Sequence, residues 1–293
     1  MTFTRRLEFY ELPSSFNFPS IINKVHLKPL NKLHNAGGRI LKYTNTSIAL
    51  VKFDDDIDYI EGLLVRVTSD DVPMKASLLR NHFEKIILKS DEGIADMTYF
   101  IFIKSIKVLC LLPAKNGVKW GTFVNYVNEI AEINDFELFP LINKDANKTL
   151  NSWKHITSIL AEIKIGNNSR PTSKATQQLP LGLALDETKR MNTARIKLEL
   201  YNPKRKGGLV ANLVKQLSKT ISSLSGELEV KHLTIKGSND SDSQDAIIDL
   251  ISQRFMISVN LGSAGRSLDY DECSSAVKTV IQNQITAIGE LID

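Results

Sequence analysis

The chain has 293 residues, 42% of them apolar, which is enough for two domains, or one large domain, with a packed core. Its longest apolar runs, such as IKVLCLLP ending at Pro113, are far shorter than the roughly 20 residues that cross a bilayer, so no transmembrane helix is predicted. Residues 1–150 carry 19 Lys and Arg against 18 Asp and Glu, residues 151–236 carry 15 against 6, and residues 237–293 carry 3 against 9. The net charges are therefore +1, +9 and −6, and we expect a polyanionic partner to bind the middle segment.

Both strands and helices are predicted in the first part of the chain. RRLEFYEL from Arg5 predicts a strand, and GGRILKYTNTSIALVKF predicts two strands that end at the aspartates 54–56. The apolar spacing in SLLRNHFEKIILKS from Ser77 and in WGTFVNYVNEIAEI from Trp120 predicts helices, and MTYFIFIKS and IKVLCLL between them predict strands. With WKHITSILAEIKI as its last strand, residues 1–165 are predicted to form a mixed α+β domain.

A linker and a second domain are predicted after residue 165. Residues 166–192 are rich in Gly, Asn, Ser, Pro and Gln without strong periodicity, which is typical of a linker. Residues 193–293 then alternate: strands are predicted in ARIKLELY, ELEVKHLTIKG and RFMISVNL, and a helix is predicted after each of them. The predicted fold class is therefore α+β with two mixed domains, the C-terminal one a small sheet with helices in β-α-β-α-β-α order.

Sequence motifs for catalysis or cofactor binding are absent from the chain. There is no GxGxxG, GxxxxGK[ST], HExxH or GxSxG motif. Cys110 and Cys273 have no metal-binding spacing and are expected to be thiols in a reducing compartment. The N-terminus lacks the uninterrupted apolar region of a secretory signal, so a cytoplasmic location is expected. We predict no catalytic residue, no metal, no cofactor and no enzymatic activity.

The stretch YNPKRKGGLVANLVKQLSKT, which begins at Tyr201, contains the main candidate site. Three cations precede two glycines and an apolar pattern of helical period. The first amides of such a helix are unpaired and carry the positive end of its dipole, so acidic residues would be favoured there, and cations indicate a bound anion. A solvated corner between a strand and a helix is the alternative. The predicted nucleic-acid-binding residues are Lys204, Arg205, Lys206, Lys215, Lys219, Arg195 and Lys197.

The order of elements resembles that of the RexA-like phage exclusion proteins. The resemblance rests on the β-rich centre MTYFIFIKSIKVLCLLP, the strand ITSILAEIKI, the segment SGELEVKHLTIKG and the long final helix SSAVKTVIQNQITAIGEL. It implies a cytoplasmic homodimer that binds DNA with little sequence preference and excludes superinfecting phage by abortive infection, with a membrane protein as its downstream effector. It transfers no functional residue to an individual position of this chain.

Three hypotheses about function therefore stand. The first is a nucleic-acid-binding protein that contacts the phosphate backbone with little sequence dependence. The second is a metal-dependent enzyme acting on nucleic acid or a nucleotide, with Asp54, Asp56 or Glu61 as metal ligands. The third is an interaction module that sequesters another protein and binds no DNA. The apolar stripe of the last helix is compatible with a homodimer, but burial against the chain's own sheet explains it equally well.

Overall fold

The computed structural model describes ten stretches of the chain: residues 3–13, 15–69, 74–77, 82–85, 87–89, 92–164, 195–201, 229–238, 246–262 and 268–292. The strands within them are β1 (Phe3–Glu11), β2 (Ile40–Lys42), β3 (Thr46–Asp55), β4 (Tyr59–Thr68), β5 (Met74–Ser77), β6 (His82–Lys85), β7 (Ile94–Ile103), β8 (Val108–Pro113), β9 (Phe139–Pro140), β10 (His155–Lys164), β11 (Arg195–Tyr201), β12 (Glu229–Ser238), β13 (Ala246–Asp249) and β14 (Met256–Leu261). The α-helices within them are α1 (Phe18–Leu27), α2 (Trp120–Ala131), α3 (Lys144–Ser152) and α4 (Tyr270–Gly289).

The prediction of an α+β class with a C-terminal β-α-β-α-β-α unit is wrong. Strands dominate the described residues, and all pairings between the named strands are antiparallel. The segment SDSQDAIIDLISQ, predicted to be a helix, contains strand β13, which pairs with β12. SLLRNHFEKIILKS, also predicted to be a helix, contains strand β6, which pairs with β5. Periodicity in such short apolar runs does not separate a helix from a strand, and sheet pairing decides between them.

The larger sheet has eight strands in the order β14-β1-β8-β7-β4-β3-β2, with β9 added to β1. Helices cover this sheet on both faces, so its central strands are buried on both sides. Strands β7 and β8 accordingly contain the continuous apolar runs FIFI and VLCLL. Helices α1 and α2 pack on one face, and α4 packs on the other. Each face therefore has its own apolar core.

The core under α1 and α2 contains a buried tyrosine that ties the helix layer to the edge of the sheet. The Tyr126 hydroxyl accepts a hydrogen bond of 2.8 Å from the Leu50 backbone N–H and donates one of 2.8 Å to the Arg39 carbonyl. Strand β3 shifts its register between Leu50 and Lys52, so this hydroxyl satisfies a backbone group beside the irregularity. Burial raises the pKa of Tyr126 to about 12.

Helix α4 covers the opposite face of the larger sheet. The Asp269 side chain caps it by accepting a hydrogen bond of 2.9 Å from the Glu272 N–H. Its buried residues include Cys273, Val277 and Ile281, which pack against strands β1, β7, β8 and β14. The apolar stripe of this helix, which from the sequence could have been a dimer contact, is thus buried against the chain's own sheet. The homodimer itself stays a prediction.

The smaller sheet has four strands in the order β11-β10-β12-β13. One face packs on α3 and the Trp153 side chain to form a third core. Each sheet combines strands that precede residues 166–192 in the sequence with strands that follow them. In the smaller sheet β10 pairs with β11 and β12, and in the larger sheet β1 pairs with β14. The predicted linker lies outside the described residues, and the domain limits 1–165 and 193–293 stay a prediction.

Within the described part of the chain, no helix combines the length and the apolar character that crossing a bilayer requires.

Candidate functional site

The structure describes two of the seven predicted nucleic-acid-binding residues. Lys204, Arg205, Lys206, Lys215 and Lys219 all fall in residues 202–228, outside the described residues. Arg195 and Lys197 lie two residues apart on β11, and successive side chains of a strand point to opposite faces, so both belong to one face of the smaller sheet. The strand predicted at this place is confirmed. Of its described side chains, Leu198 is half-buried, whereas the predicted inward residue Leu200 is 37% exposed.

That face is the one turned away from the third core. On β10, Ile159, Ala161 and Ile163 are buried in the core, so the alternate residues of β10 and their cross-strand partners form the opposite, outer face. Among the exposed residues of this outer face are Lys197 and Lys236. We define the outer face as the register positions Ser158, Leu160, Glu162, Lys164, Arg195, Lys197, Glu199, Tyr201, Glu229, His232, Thr234, Lys236, Ile247 and Asp249.

One row of the outer face crosses all four strands. Tyr201 on β11 is opposite Ser158 on β10, Ser158 is opposite Lys236 on β12, and Lys236 is opposite Ile247 on β13. Tyr201 is 65% exposed and Ile247 is 62% exposed, whereas Ser158 between them is only 4% exposed. Ser158 therefore offers almost no accessible surface, while the two ends of the row are open to solvent. We call these four residues the Tyr201 row.

The outer face has no excess of positive charge among the side chains that the structure describes. These are the cations Lys197 and Lys236 and the carboxylates Glu162, Glu199 and Asp249. In residues 151–236 the described stretches hold six Lys and Arg against three Asp and Glu, and the other stretches hold nine against three. Residues 151–236 have a net charge of +9, and six of these nine charges therefore come from residues that the structure does not describe.

A buried polar cluster between the larger sheet and α4 was missed by reasoning from the sequence. Glu61 on β4 is 4% exposed, accepts a hydrogen bond from the Tyr99 hydroxyl and forms an ion pair with Lys278 of α4. The Tyr270 ring packs against that of Tyr99, with centroids 5.8 Å apart. The only signal in the sequence is a glutamate at an inward position of the otherwise apolar strand YIEGLLV.

Helix geometry brings this cluster together. Tyr270, Ser274 and Lys278 follow each other at intervals of four residues, so they lie on one side of α4 above the sheet. Burial, and next the hydrogen bond with Glu61, raises the pKa of Tyr99 far above its usual range. Burial and the nearby Glu61 carboxylate also raise the pKa of Tyr270. Since the Glu61 carboxylate is buried and its partners come from β7 and α4, we assign the cluster to holding α4 on the sheet.

The comparison with protein families classifies the chain without giving it an activity. A model of the family DUF6731, described as a family of unknown function, matches residues 13–286. The chain belongs to this family. No curated protein matches it. The resemblance to the RexA-like proteins stays a prediction, and any function has to be argued from the chain's own residues.

The carboxylates of the metal-enzyme hypothesis lie near one another, but two of them are already engaged. Glu61 is held by Tyr99 and Lys278. The Asp56 side chain accepts a hydrogen bond of 2.5 Å from the adjacent Ile57 N–H. Among the residues that the structure describes, no group of three or more His, Cys, Asp or Glu is placed to hold a metal ion.

A surface cleft of about 270 Å³ lies at the C-terminal end of α2. Its lining is mostly polar and includes His34, Asn128, Glu129 and Glu132. The Glu132 carboxylate already forms an ion pair of 2.5 Å with Lys28, which lowers the pKa of Glu132. The cleft is smaller than the usual range for ligand pockets, which begins at roughly 300 Å³.

Proposed function

We propose that this protein binds nucleic acid through the phosphate backbone, with little dependence on base sequence and with DNA as the favoured partner. The observation that carries the proposal is the excess of positive charge in residues 151–236, which carry 15 Lys and Arg against 6 Asp and Glu. Strand β11 ends at the exposed Tyr201, and Lys204, Arg205 and Lys206 follow it by three to five residues.

Phosphate contacts by lysine and arginine have a measurable signature. Each phosphate that is neutralised releases condensed counterions, which makes the association constant fall with salt. In a plot of its logarithm against the logarithm of the salt concentration, each phosphate contributes about −0.9 to the slope for duplex DNA and about −0.7 for a single strand. Binding by such contacts carries no information about base sequence. The described side chains of the outer face have no excess of positive charge and cannot supply this attraction, so the proposal assigns it to the run at Lys204 and to the lysines that follow.

Replacing Lys204, Arg205 and Lys206 together by glutamine should weaken duplex binding roughly a hundredfold at 0.1 M salt and make the salt slope shallower by about 2.7. Fluorescence anisotropy of a labelled duplex across several salt concentrations measures both quantities. A charge-matched control replaces three exposed lysines by glutamine: Lys24 on α1, Lys42 on β2 and Lys115 in the loop after β8. The control should keep the slope of the natural protein.

Equal losses in the two triple variants would contradict a local site and indicate attraction by net charge alone. Absence of any binding by the natural protein at low salt would instead favour the protein-sequestering module. The phage-exclusion role, the homodimer, the membrane-protein effector and the cytoplasmic location come from the resemblance and the sequence, and they remain predictions.

A further inference from the structure

We infer that residues 24–33, at the end of α1 and in the loop that follows it, bind this protein to the surface of an anionic phospholipid bilayer. We call these residues the leucine segment, after Leu27, Leu30 and Leu33, which are 73%, 38% and 38% exposed. The structure describes the whole segment. The inference goes beyond the proposed function and does not depend on it, because the leucine segment lies outside the cationic middle segment.

Leu27 is exposed because it lies off the buried stripe of α1. The residues of this helix that are buried in the core are Phe18, Ile21, Ile22 and Val25. Two further residues turn a helix by roughly 200°, so Leu27 points away from the core on which Val25 packs. Lys24 precedes Leu27 by three residues, and side chains at this spacing are neighbours on a helix surface. An exposed lysine therefore lies beside the exposed leucine.

Leu30 and Leu33 belong to a short loop that backbone hydrogen bonds hold closed. The Ile40 N–H donates one of 3.1 Å to the Lys32 carbonyl, and the Gly38 N–H donates one of 2.8 Å to the Leu33 carbonyl. Successive leucines of the segment are three residues apart, so their Cα atoms are separated by at most roughly 11 Å. The three exposed leucines thus lie close together in one part of the surface.

Positive charge surrounds these leucines. Residues 12–53 contain six Lys and Arg and no Asp or Glu. Lys24 and Lys32 are exposed within the leucine segment itself, and Lys28 forms an ion pair of 2.5 Å with Glu132 at the end of α2. Glu129 lines the same cleft as Glu132, so two carboxylates adjoin a surface with a larger number of cations. The surface therefore attracts anions, and salt screens this attraction.

Exposed leucines among lysines fit a bilayer surface better than a nucleic acid. A phosphate backbone attracts lysine but offers no apolar surface to an aliphatic side chain. At a bilayer, apolar side chains enter the boundary between headgroups and acyl chains, while lysine ammonium groups stay among the anionic headgroups. The strength of such binding grows with the apolar area buried and with the attraction to anionic lipid. We therefore expect reversible binding that requires anionic lipid.

Sedimentation with vesicles tests the contribution of the leucines. The natural protein should bind mixed vesicles of phosphatidylcholine and phosphatidylserine, and should not bind vesicles of phosphatidylcholine alone. Leu27→Ala combined with Leu30→Ala should weaken binding to the mixed vesicles about tenfold. The control, Ile57→Ala combined with Ile247→Ala, removes side chains that are 88% and 62% exposed elsewhere on the protein, and it should leave the binding unchanged.

A second pair of variants tests the contribution of charge. Lys24→Gln combined with Lys32→Gln should weaken binding to the mixed vesicles at least about tenfold and reduce its dependence on salt. The control replaces Lys148 of α3 and Lys154, which follows α3, by glutamine, since both lysines are exposed. It should leave the binding unchanged, and equal losses in the two lysine variants overturn the inference.

Leu30→Trp reports entry into the bilayer directly, because the natural tryptophans Trp120 and Trp153 are buried in the protein. Mixed vesicles should shift the emission of the introduced indole to shorter wavelength, and lipids brominated in their acyl chains should quench it. No binding of the natural protein to mixed vesicles, an unchanged emission, or equal losses in the leucine and isoleucine variants overturns the inference. A loss in the lysine variant without a loss in the leucine variant also overturns it. The proposed function is judged separately, by the salt dependence of duplex binding.

Discussion

Replacing Lys278 by methionine should lower the free energy of unfolding by about 3 kcal/mol, because it leaves the Glu61 carboxylate charged and without its cation inside the protein. Glu61 is 4% exposed, and its remaining partner is the hydroxyl of Tyr99. A buried ion costs several kcal/mol when its counter-ion is removed. Urea denaturation at neutral pH measures the change, provided that the m-value stays constant.

The chain offers a matched control for this first prediction. Lys144 of α3 forms an ion pair with Glu290, but the two side chains are 47% and 52% exposed, so Lys144→Met should lower the free energy of unfolding far less than Lys278→Met. The double variant Glu61→Leu with Lys278→Met removes both charges and should regain most of the lost stability. Equal costs for Lys278→Met and Lys144→Met would contradict the assignment of the cluster as a buried clamp for α4.

Phe18→Ala should have a larger effect, a loss of about 4 kcal/mol, because Phe18 fills the space between α1 and the larger sheet. Its side chain is fully buried, and its ring lies 4.8 Å from that of Phe102 and 6.0 Å from that of Phe136, centroid to centroid. The rings of Phe100 and Phe123 are each 6.4 Å away. Removing the ring leaves a cavity that these side chains can only partly close.

Urea denaturation also tests this second prediction. Phe18→Leu retains most of the buried volume and should cost less than half as much as Phe18→Ala. Ile57→Ala removes a side chain that is almost fully exposed and should change stability by less than about 0.5 kcal/mol. A loss below about 1.5 kcal/mol for Phe18→Ala would mean that α1 does not pack on the sheet as described.

Long elements with a clear period could be predicted from the sequence. The helix from Trp120 and the last helix are confirmed as α2 and α4, because each has an apolar stripe on one side. The alternating ARIKLELY is confirmed as β11. The helix predictions that include β6 and β13 failed because both strands are four residues long and depend on a neighbouring strand.

The arrangement of the strands could not be predicted, since it depends on contacts between distant parts of the chain. Strand β14 pairs with β1 at the edge of the larger sheet, and neither sequence contains a sign of its partner. The same limit applies to the polar cluster, where Glu61 and Lys278 come from opposite ends of the chain. Alternation alone did place Arg195 and Lys197 on one face of the smaller sheet.

Attraction of a polyanion to the cationic middle segment is the central claim, and the salt dependence of nucleic-acid binding by the natural protein tests it most directly. Dissociation constants for a labelled single strand and its duplex should be measured from low to physiological salt at neutral pH. We predict that the logarithm of the association constant falls linearly with log salt, with a slope of about −3.6 or steeper for the duplex, as four or more phosphate contacts require. A slope near zero, or no binding of either substrate at the lowest salt, would contradict the claim.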